Sequence, residues 1–320
     1  MIINSIIERL KESKKIGITC HISPDGDSLG SSLALMQGLL SMGKNAYIIS
    51  KEPLPETFDY LPYSNRINKE LSHILDSTDT VIVLDCGNAE RINANIDIDK
   101  RNYTLINIDH HISNDNYGDL NYIDTNAAAV AEIVYELLNI LNVPIDKNIA
   151  SCLYTSIVTD TGSFRHSNTT RLTHKIAGDL VATGIDFSEI HRKIFENMSF
   201  ERLKLHGKII ENMHLKLNRK LCIMELTKEM LKEFDIEKSD TSDIVNIGTQ
   251  IGTVEVAVLL KASDDMTKVS LRSKHKVDVR KIAEMFNGGG HIKAAGFSTS
   301  KSLEEIKTIL INEIEKELIK

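Results

Sequence analysis

The sequence predicts an α/β protein: an N-terminal domain with a mostly parallel sheet flanked by helices, plus a smaller C-terminal α/β domain across a cleft. Three observations carry that expectation. Short apolar, β-branched runs alternate with helical patterns through the first half of the chain, the rhythm that builds a parallel sheet. Three of those runs end in ionisable residues, at His21, Asp85 and Asp109. Beyond about Thr183 the texture changes to a long helical stretch followed by hairpin signals. At roughly 100–200 residues per domain, a chain of 320 residues also suits two domains.

Taken in order, residues 1–10 are apolar with charges at helical spacing and read as an amphipathic helix rather than a signal peptide. Residues 16–22 are apolar and run into Ser23-Pro24-Asp25-Gly26-Asp27, so a buried strand followed by a loop is expected. Over 28–42 the apolar side chains Leu29, Leu33, Leu35, Met36, Leu39 and Leu40 recur at helical spacing, and Gly43 stops the helix. A strand is expected over 46–50. The runs 80–85 and 104–109 repeat the strand pattern, and 130–141 and 147–159 read as helices. In open parallel sheets the ligand crevice lies at the C-terminal ends of the strands, which is where His21, Asp85 and Asp109 fall.

Residues 186–212 read as helical with a break near Met198-Ser199. The expected domains are therefore 1–185, a helical linker over 186–205, and 206–320. In the last part, 215–217 and 221–224 flank Asn218-Arg219-Lys220 as a hairpin, and 255–261 pairs with 269–273 through Ser263-Asp264-Asp265. Gly288-Gly289-Gly290 then precedes His291, and a charged amphipathic helix from Leu303 closes the chain.

Composition narrows the function classes. Hydrophobic residues at 42% and charged residues at 26% are those of an ordinary globular protein, not a disordered or collagenous chain. With 38 basic and 45 acidic side chains the net charge is −7, which disfavours a groove for long nucleic acid, because that affinity comes from Lys and Arg at phosphates. A short anionic substrate is compatible with this charge if a metal supplies local positive charge. The four cysteines, Cys20, Cys86, Cys152 and Cys222, form no C-x-x-C pair and sit in apolar runs as small hydrophobes. A reducing, cytoplasmic location is expected. No stretch approaches the roughly 18 apolar residues of a membrane span, so no membrane partner is expected. A homodimer is compatible with the layout.

Five segments carry candidate chemistry: His21 to Asp27, Asp85, Asp109-His110-His111, Asp160 to Arg165, and Gly288-Gly289-Gly290-His291. An Asp-x-Asp such as Asp25 and Asp27 can bind hard divalent cations, but the pattern is also common in solvated loops. A strand-end acid such as Asp85 can simply cap a following helix, and Asp160 can be an ordinary helix C-terminal residue. Adjacent histidines at a strand end point different ways, so one can ligate a metal while the other faces a substrate. Together these residues supply four carboxylates and two or three imidazoles at one sheet edge. That many acids repel one another unless compensated. Two divalent metals resolve the conflict, and mixed oxygen and imidazole ligation suits Mn²⁺, with Fe²⁺, Co²⁺ or Zn²⁺ as alternatives.

The chain resembles the DHH phosphoesterase family, whose triplet stands here as Asp109-His110-His111. Gly288-Gly289-Gly290-His291 resembles the DHH-associated domain, so the resemblance covers nearly the whole chain. Length and layout are most similar to the subgroup of nanoRNases and phosphoadenosine-phosphate phosphatases. The resemblance implies one metal held by His21, Asp25 and Asp85, and a second held by Asp27, Asp85, His110 and Asp160, with Asp85 bridging. It implies catalytic roles for Asp85 and for His111, the latter facing the scissile phosphate or leaving oxygen. One departure is visible: after Asp124 the family tends to place a small hydroxyl pair, where this chain has Ala127-Ala128-Ala129.

Further candidates concern the substrate. Arg165 follows Asp160 closely, and arginine suits bidentate phosphate contact, although a surface arginine would look the same. Gly289 and Gly290 can bring backbone N–H groups to a phosphate; a glycine run can equally be a turn. The resemblance implies that Arg272, Ser273 and His291 face the cleft, while on spacing alone Arg272 is as well read as a solvated strand end. The expected activity is metal-assisted hydrolysis of short oligoribonucleotides, linear dinucleotides or phosphoadenosine phosphate. The alternatives are an exopolyphosphatase or pyrophosphatase, and a non-enzymatic nucleotide-binding sensor, against which the full set of acids and histidines argues. No G-x-x-x-x-G-K-[ST] motif is present.

Overall fold

Apolar runs buried on both faces build the first sheet. The structure, a computed structural model, describes residues 2–236, 241–263 and 265–319. The chain divides into two compact units, Met1–Asn197 and Met198–Lys320. The first contains α1 (Ile2–Glu12), β1 (Lys15–Thr19), α2 (Gly26–Ser41), β2 (Asn45–Ile48), β3 (Thr80–Leu84), β4 (Thr104–Asp109), β5 (Leu120–Ile123), α3 (Val130–Ile140), α4 (Lys147–Asp160), α5 (Arg171–Ala182) and α6 (Phe187–Phe195). Its five strands lie in the order β2-β1-β3-β4-β5, every pair parallel. Side chains alternate along β3: Ile82 and Leu84 join the core beneath α2, α3 and α4, while Val81 and Val83 join Ile49, Cys86 and Leu105 on the other face. Burial on both faces is why the run is apolar without a break.

The strand order fixes where chemistry can happen. From β1 the chain runs out to β2 and returns to lay β3 on the other side of β1. The loops leaving β1 and β3 therefore diverge and open a crevice at their C-terminal ends. His21 leaves β1 and Asp85 leaves β3 at that point.

Helix packing brings in the rest. Glycine lets α2 lie directly on α4: a Cβ at Gly30 would sit 2.4 Å from the Cys152 carbonyl oxygen. Gly26 faces Thr159 in the same way. The start of α2 thus meets the end of α4, which places Asp27 of the first turn near Asp160, the last residue of α4.

The second unit contains α7 (Phe200–Glu211), β6 (His214–Lys216), β7 (Leu221–Leu226), α8 (Lys228–Glu233), α9 (Val245–Thr249), β8 (Val256–Ala262), β9 (Thr267–Ser273), α10 (Val279–Glu284), β10 (Gly289–His291), β11 (Ala294–Thr299) and α11 (Leu303–Ile319). Its mixed sheet runs β10-β11-β9-β8-β7-β6, with β7 and β8 parallel and the other pairs antiparallel. Both expected hairpins are present; Asp264, in the second connection, lies outside the described residues. Among the described residues no helix is long and apolar enough to cross a membrane.

Two elements of the first unit, β5 and α5, have no counterpart in the pattern reading, and the glycine run differs from a turn. Gly289 and Gly290 belong to edge strand β10 and pair with β11. Gly290 sits at φ +136°, and a Cβ there would lie 2.4 Å from the Ala294 carbonyl oxygen, so only glycine fits.

Candidate metal centre

Asp85 is the hub of the site. Its residue is 3% exposed, and its backbone adopts φ +54°, a left-handed conformation that Asp tolerates better than most residues. It caps no helix, since the short helical turn that follows, Ala89–Arg91, is capped by Asn88. One carboxylate oxygen, Oδ2, lies 3.4 Å from His21 Nε2. The other, Oδ1, lies 3.6 Å from His110 Nε2 and 3.5 Å from His111 Nδ1, and it accepts no hydrogen bond.

Around this hub the ligand-type atoms fall into groups. His21, Asp25 and Asp85 form one, with His21 Nε2 3.7 Å from Asp25 Oδ1. Asp27, His110 and Asp160 form another, His110 Nε2 lying 3.9 Å from Asp27 Oδ2 and 3.6 Å from Asp160 Oδ2. A third grouping joins Asp85 and Asp109 to both histidines of the triplet. Separations of 3.4–3.9 Å are long for hydrogen bonds. They are close to what two ligands each about 2.1 Å from a shared cation would span.

The backbone fixes which nitrogen each histidine presents. His21 Nδ1 donates to the Ile22 carbonyl at 2.8 Å, and His110 Nδ1 donates to the Ala127 carbonyl at 3.0 Å. Both Nε2 atoms are thereby turned toward the acids, the arrangement that metal-binding histidines use. His111 is set differently. Its Nδ1 donates to Asp109 Oδ1 at 2.8 Å, and its ring stands at 82° to that of His110. Asp109, fully buried, also accepts from the backbone N–H of His110 and from Asn114 Nδ2 at 2.7 and 2.6 Å.

Asp27, at 1% exposure, accepts from Ser31 and Ser156 hydroxyls and from the N–H groups of Val130 and Ala131. Those last two donors open α3, whose N-cap residue Ala129 offers no side-chain cap. Asp27 therefore caps α3 from another part of the chain, and the alanines leave room for it. The 127–129 turn meets the site through carbonyls and N–H groups where a hydroxyl pair would have offered oxygens.

Crowding this many buried acids together shifts their proton affinities. Burial and the neighbouring Asp27 charge push Asp85 up to about 7, against the pull of His21. Burial and Asp27 push Asp160 up to about 8, and burial also raises Asp27. Burial works against charge on His21, but Asp25 and Asp85 outweigh it and raise the imidazole to about 10. His110 rises to about 9, burial being outweighed by Asp27, Asp160 and Asp85. Cations held among these groups would neutralise the carboxylates and displace their protons. The orphaned Asp85 oxygen, the preset imidazoles and the mixed oxygen and nitrogen donors all fit divalent metal ions.

A stability prediction follows, with its sign set by linkage. Asp85, Asp160, His21 and His110 all have raised folded-state values, so the stability they contribute is present at low pH and lost as pH rises through those values. In chelator, the melting temperature is expected to fall as pH rises from about 6 to about 9. Mn²⁺ is expected to raise it more at the upper end, because metal binding displaces protons. Scanning calorimetry with and without Mn²⁺ checks this; a metal-free Tm that climbs over that range would contradict it.

The remaining candidates are Arg165 in the first unit and Arg272, Ser273, Gly289, Gly290 and His291 in the second. Arg165 is exposed, and its Nε donates to the Gly162 carbonyl at 2.7 Å. It follows Ser163 and Phe164, both at positive φ, which turn the chain sharply after Asp160. In the second unit Arg272, Ala294 and His291 are register partners across β9, β11 and β10, so Arg272 and His291 share a sheet face with a small residue between them. Ser273 is buried, and its hydroxyl donates to Glu255 Oε1 at 3.4 Å. Gly289 has open space where a side chain would stand. The residues that sequence reasoning passes over are those that hold the candidate side chains: Asn114 on Asp109, Ser31 and Ser156 on Asp27, and the Ala127 carbonyl on His110. Ser31 and Ser156 stand one turn from Asp27 and Asp160 on their helices, a usable signal once the ligands are named.

Known proteins resemble this chain over most of its length. The family model described as "DHH family, N-terminal domain" matches residues 15–157, and the "DHHA1 domain" model matches residues 218–319. The chain is 32% identical over 294 residues to a protein of Thermus thermophilus named "Bifunctional oligoribonuclease and PAP phosphatase NrnA", covering 90% of this chain and 85% of that one. A protein of the same name from Bacillus subtilis is 32% identical over 292 residues, 87% of each chain. Among solved structures, an exopolyphosphatase-related protein from Bacteroides fragilis superposes with a TM-score of 0.93 at 29% identity, covering 100% of this chain and 98% of that one.

Proposed function

The chain belongs to the DHH family, and from that premise we propose that it is a divalent-metal-dependent phosphoesterase hydrolysing short oligoribonucleotides and phosphoadenosine phosphate to mononucleotides. The Thermus and Bacillus relatives, named for oligoribonuclease and PAP phosphatase activities, support the substrate class. The single observation behind the metal reading is that the two oxygens of buried Asp85 face different imidazoles at the switch point of a parallel sheet.

On this reading His21, Asp25 and Asp85 hold one ion, and Asp27, Asp85, His110 and Asp160 hold a second, both most simply Mn²⁺. When bound, the ions supply charge neutralisation at the phosphate and an activated water. The protein's own part is positioning. Asp109 keeps the His111 proton on Nδ1, so Nε2 is the atom assigned to the leaving oxygen. Arg165 is assigned to a phosphate oxygen, and Arg272, Ser273, Gly289, Gly290 and His291 to the rest of the substrate. The shared face of Arg272 and His291 favours this for those two, and the engaged Ser273 hydroxyl makes that residue the weakest member. The domains are taken as 1–185 and 206–320 with a linker between. Four free, buried cysteines favour a cytoplasmic location.

The test is Mn²⁺-dependent hydrolysis of a linear RNA dinucleotide, a long single-stranded RNA, phosphoadenosine phosphate, pyrophosphate and polyphosphate side by side. The dinucleotide and phosphoadenosine phosphate are expected to dominate, with activity lost in chelator. Dominance of polyphosphate would favour the exopolyphosphatase reading, in line with the Bacteroides relative, and dominance of the long RNA would overturn the short-substrate assignment.

A further inference from the structure

Beyond the ligands, one buried acid has no part in the chemistry above. Glu132 lies in the first turn of α3 and is 3% exposed. Burial raises its carboxyl above the ordinary glutamate range, against the Thr173 hydroxyl and the Ala128 N–H, which favour the charged form. Its Oε2 accepts the Ala128 N–H at 3.2 Å, while Oε1 has no hydrogen-bond partner among the described residues. A buried carboxyl with one oxygen unsatisfied is costly, and an apolar side chain would fill this place at lower cost. Its value has to lie in what the Ala128 N–H holds.

That turn is a junction. The Ala127 carbonyl accepts from His110 Nδ1 and so aims Nε2 at the acids. The Ala128 carbonyl accepts from Asn168 Nδ2 at 2.9 Å, and the same amide donates to the Asp160 carbonyl at 3.2 Å. Val130 and Ala131 donate to Asp27. His110, Asp160 and Asp27 are thus all referenced to residues 127–131, whereas His21 and Asp25 are not. Glu132, at the third helical position, reaches back past the alanine N-cap to the N–H of Ala128, one residue before it.

We propose that Glu132 is a positioning residue that fixes the 127–129 turn and thereby sets the geometry of the Asp27, His110 and Asp160 half of the metal centre. The proposal rests on the two-ion reading. Its test is calorimetric titration of Mn²⁺ into wild type, Glu132→Gln, Glu132→Asp and Asp25→Ala, with thermal unfolding of each. Glutamine keeps an acceptor for the Ala128 N–H and is expected to bind both ions like wild type. Aspartate withdraws the acceptor by one methylene and is expected to weaken one ion by roughly 10–100-fold, the cost typical of lost outer support, while leaving the other. Asp25→Ala is expected to weaken the opposite ion, which identifies the halves. Equal loss of both ions in Glu132→Asp, a Glu132→Gln as damaged as Glu132→Asp, or wild-type binding in both would overturn the proposal. A wild-type protein that takes up no Mn²⁺, or only one ion, would instead overturn the two-ion reading itself.

Discussion

Asp85→Asn is expected to lower turnover by about 10³-fold or more while raising the metal-free melting temperature at alkaline pH. The activity loss follows from position. Asp85 is the acid whose two oxygens serve both groups of imidazoles, so its charge cannot be replaced by a neighbour. Single preorganised electrostatic groups already carry about 10²–10³ in rate, and this one supports two ions. The stability gain follows from the same burial. Ionising Asp85 costs free energy that its surroundings do not return, which is why its carboxyl is pushed up to about 7. Asparagine keeps the shape, tolerates the left-handed backbone, and has no charge to bury. The gain in Tm over wild type in chelator is expected to shrink as pH falls from about 7 through about 4, and to vanish below that, where the wild-type side chain is neutral both folded and unfolded. Steady-state kinetics with Mn²⁺ and calorimetry in chelator test the two halves separately. Wild-type turnover in the variant would remove Asp85 from the metal assignment. A lower metal-free Tm at high pH would mean that the carboxylate serves the fold.

The opposed effects explain what could be read from the chain and what could not. Apolar strand runs ending in His21, Asp85 and Asp109 are legible because burial on both sheet faces forces an unbroken apolar pattern, against which a terminal acid stands out. The family resemblance implies the seven side chains His21, Asp25, Asp27, Asp85, His110, His111 and Asp160, and the fold brings them into overlapping groups that share Asp85 and His110. Their supports are harder to see. Val130 and Ser156 reach Asp27 from 103 and 129 residues away, and no local pattern marks such contacts. An Ala-Ala-Ala turn looks featureless in sequence because its contribution is made by carbonyls and N–H groups common to every residue. The strand β5 is half-buried along its length and carries Asn121, so it lacks the continuous apolar signature of the inner strands. Helix α5 mixes Ile176 and Leu180 with Arg171, His174, Lys175 and Asp179, and its first turn is set by a Thr170–Thr173 capping box with no Glu or Gln to announce it. The second-unit assignments rest on register: Arg272 and His291 are 19 positions apart in sequence but become row partners through Ala294.

Asp109→Asn is the change expected to separate the chemistry of His111 from the holding of metal. Asp109 Oδ1 accepts from His111 Nδ1 and from two backbone N–H groups, and Oδ2 accepts from Asn114. The fourfold acceptance keeps it ionised: burial would raise its carboxyl, but His111 and Asn114 hold it below the ordinary range. An asparagine can present its one oxygen to His111 or to Asn114, not to both, so a donor must face a donor on one side. Turnover is expected to fall by roughly 10–100-fold, while Mn²⁺ binding through His21, Asp25, Asp27 and Asp160 stays near wild type. The pH profile carries the mechanism. The Asp109 hydrogen bond is the largest influence raising His111, so without it the imidazole loses its proton at lower pH. If protonated His111 serves the leaving oxygen, the alkaline limb of kcat must move to lower pH in the variant. A fall in kcat with that limb unmoved would mean that Asp109 shapes the loop and that the proton comes from elsewhere. A loss of Mn²⁺ binding as large as the loss of turnover would instead make His111 a ligand. The two results call for different acids at the scissile bond, and a single variant distinguishes them because Asp109 meets the His111 ring directly, whereas it meets His110 through a backbone N–H that an asparagine oxygen can still accept.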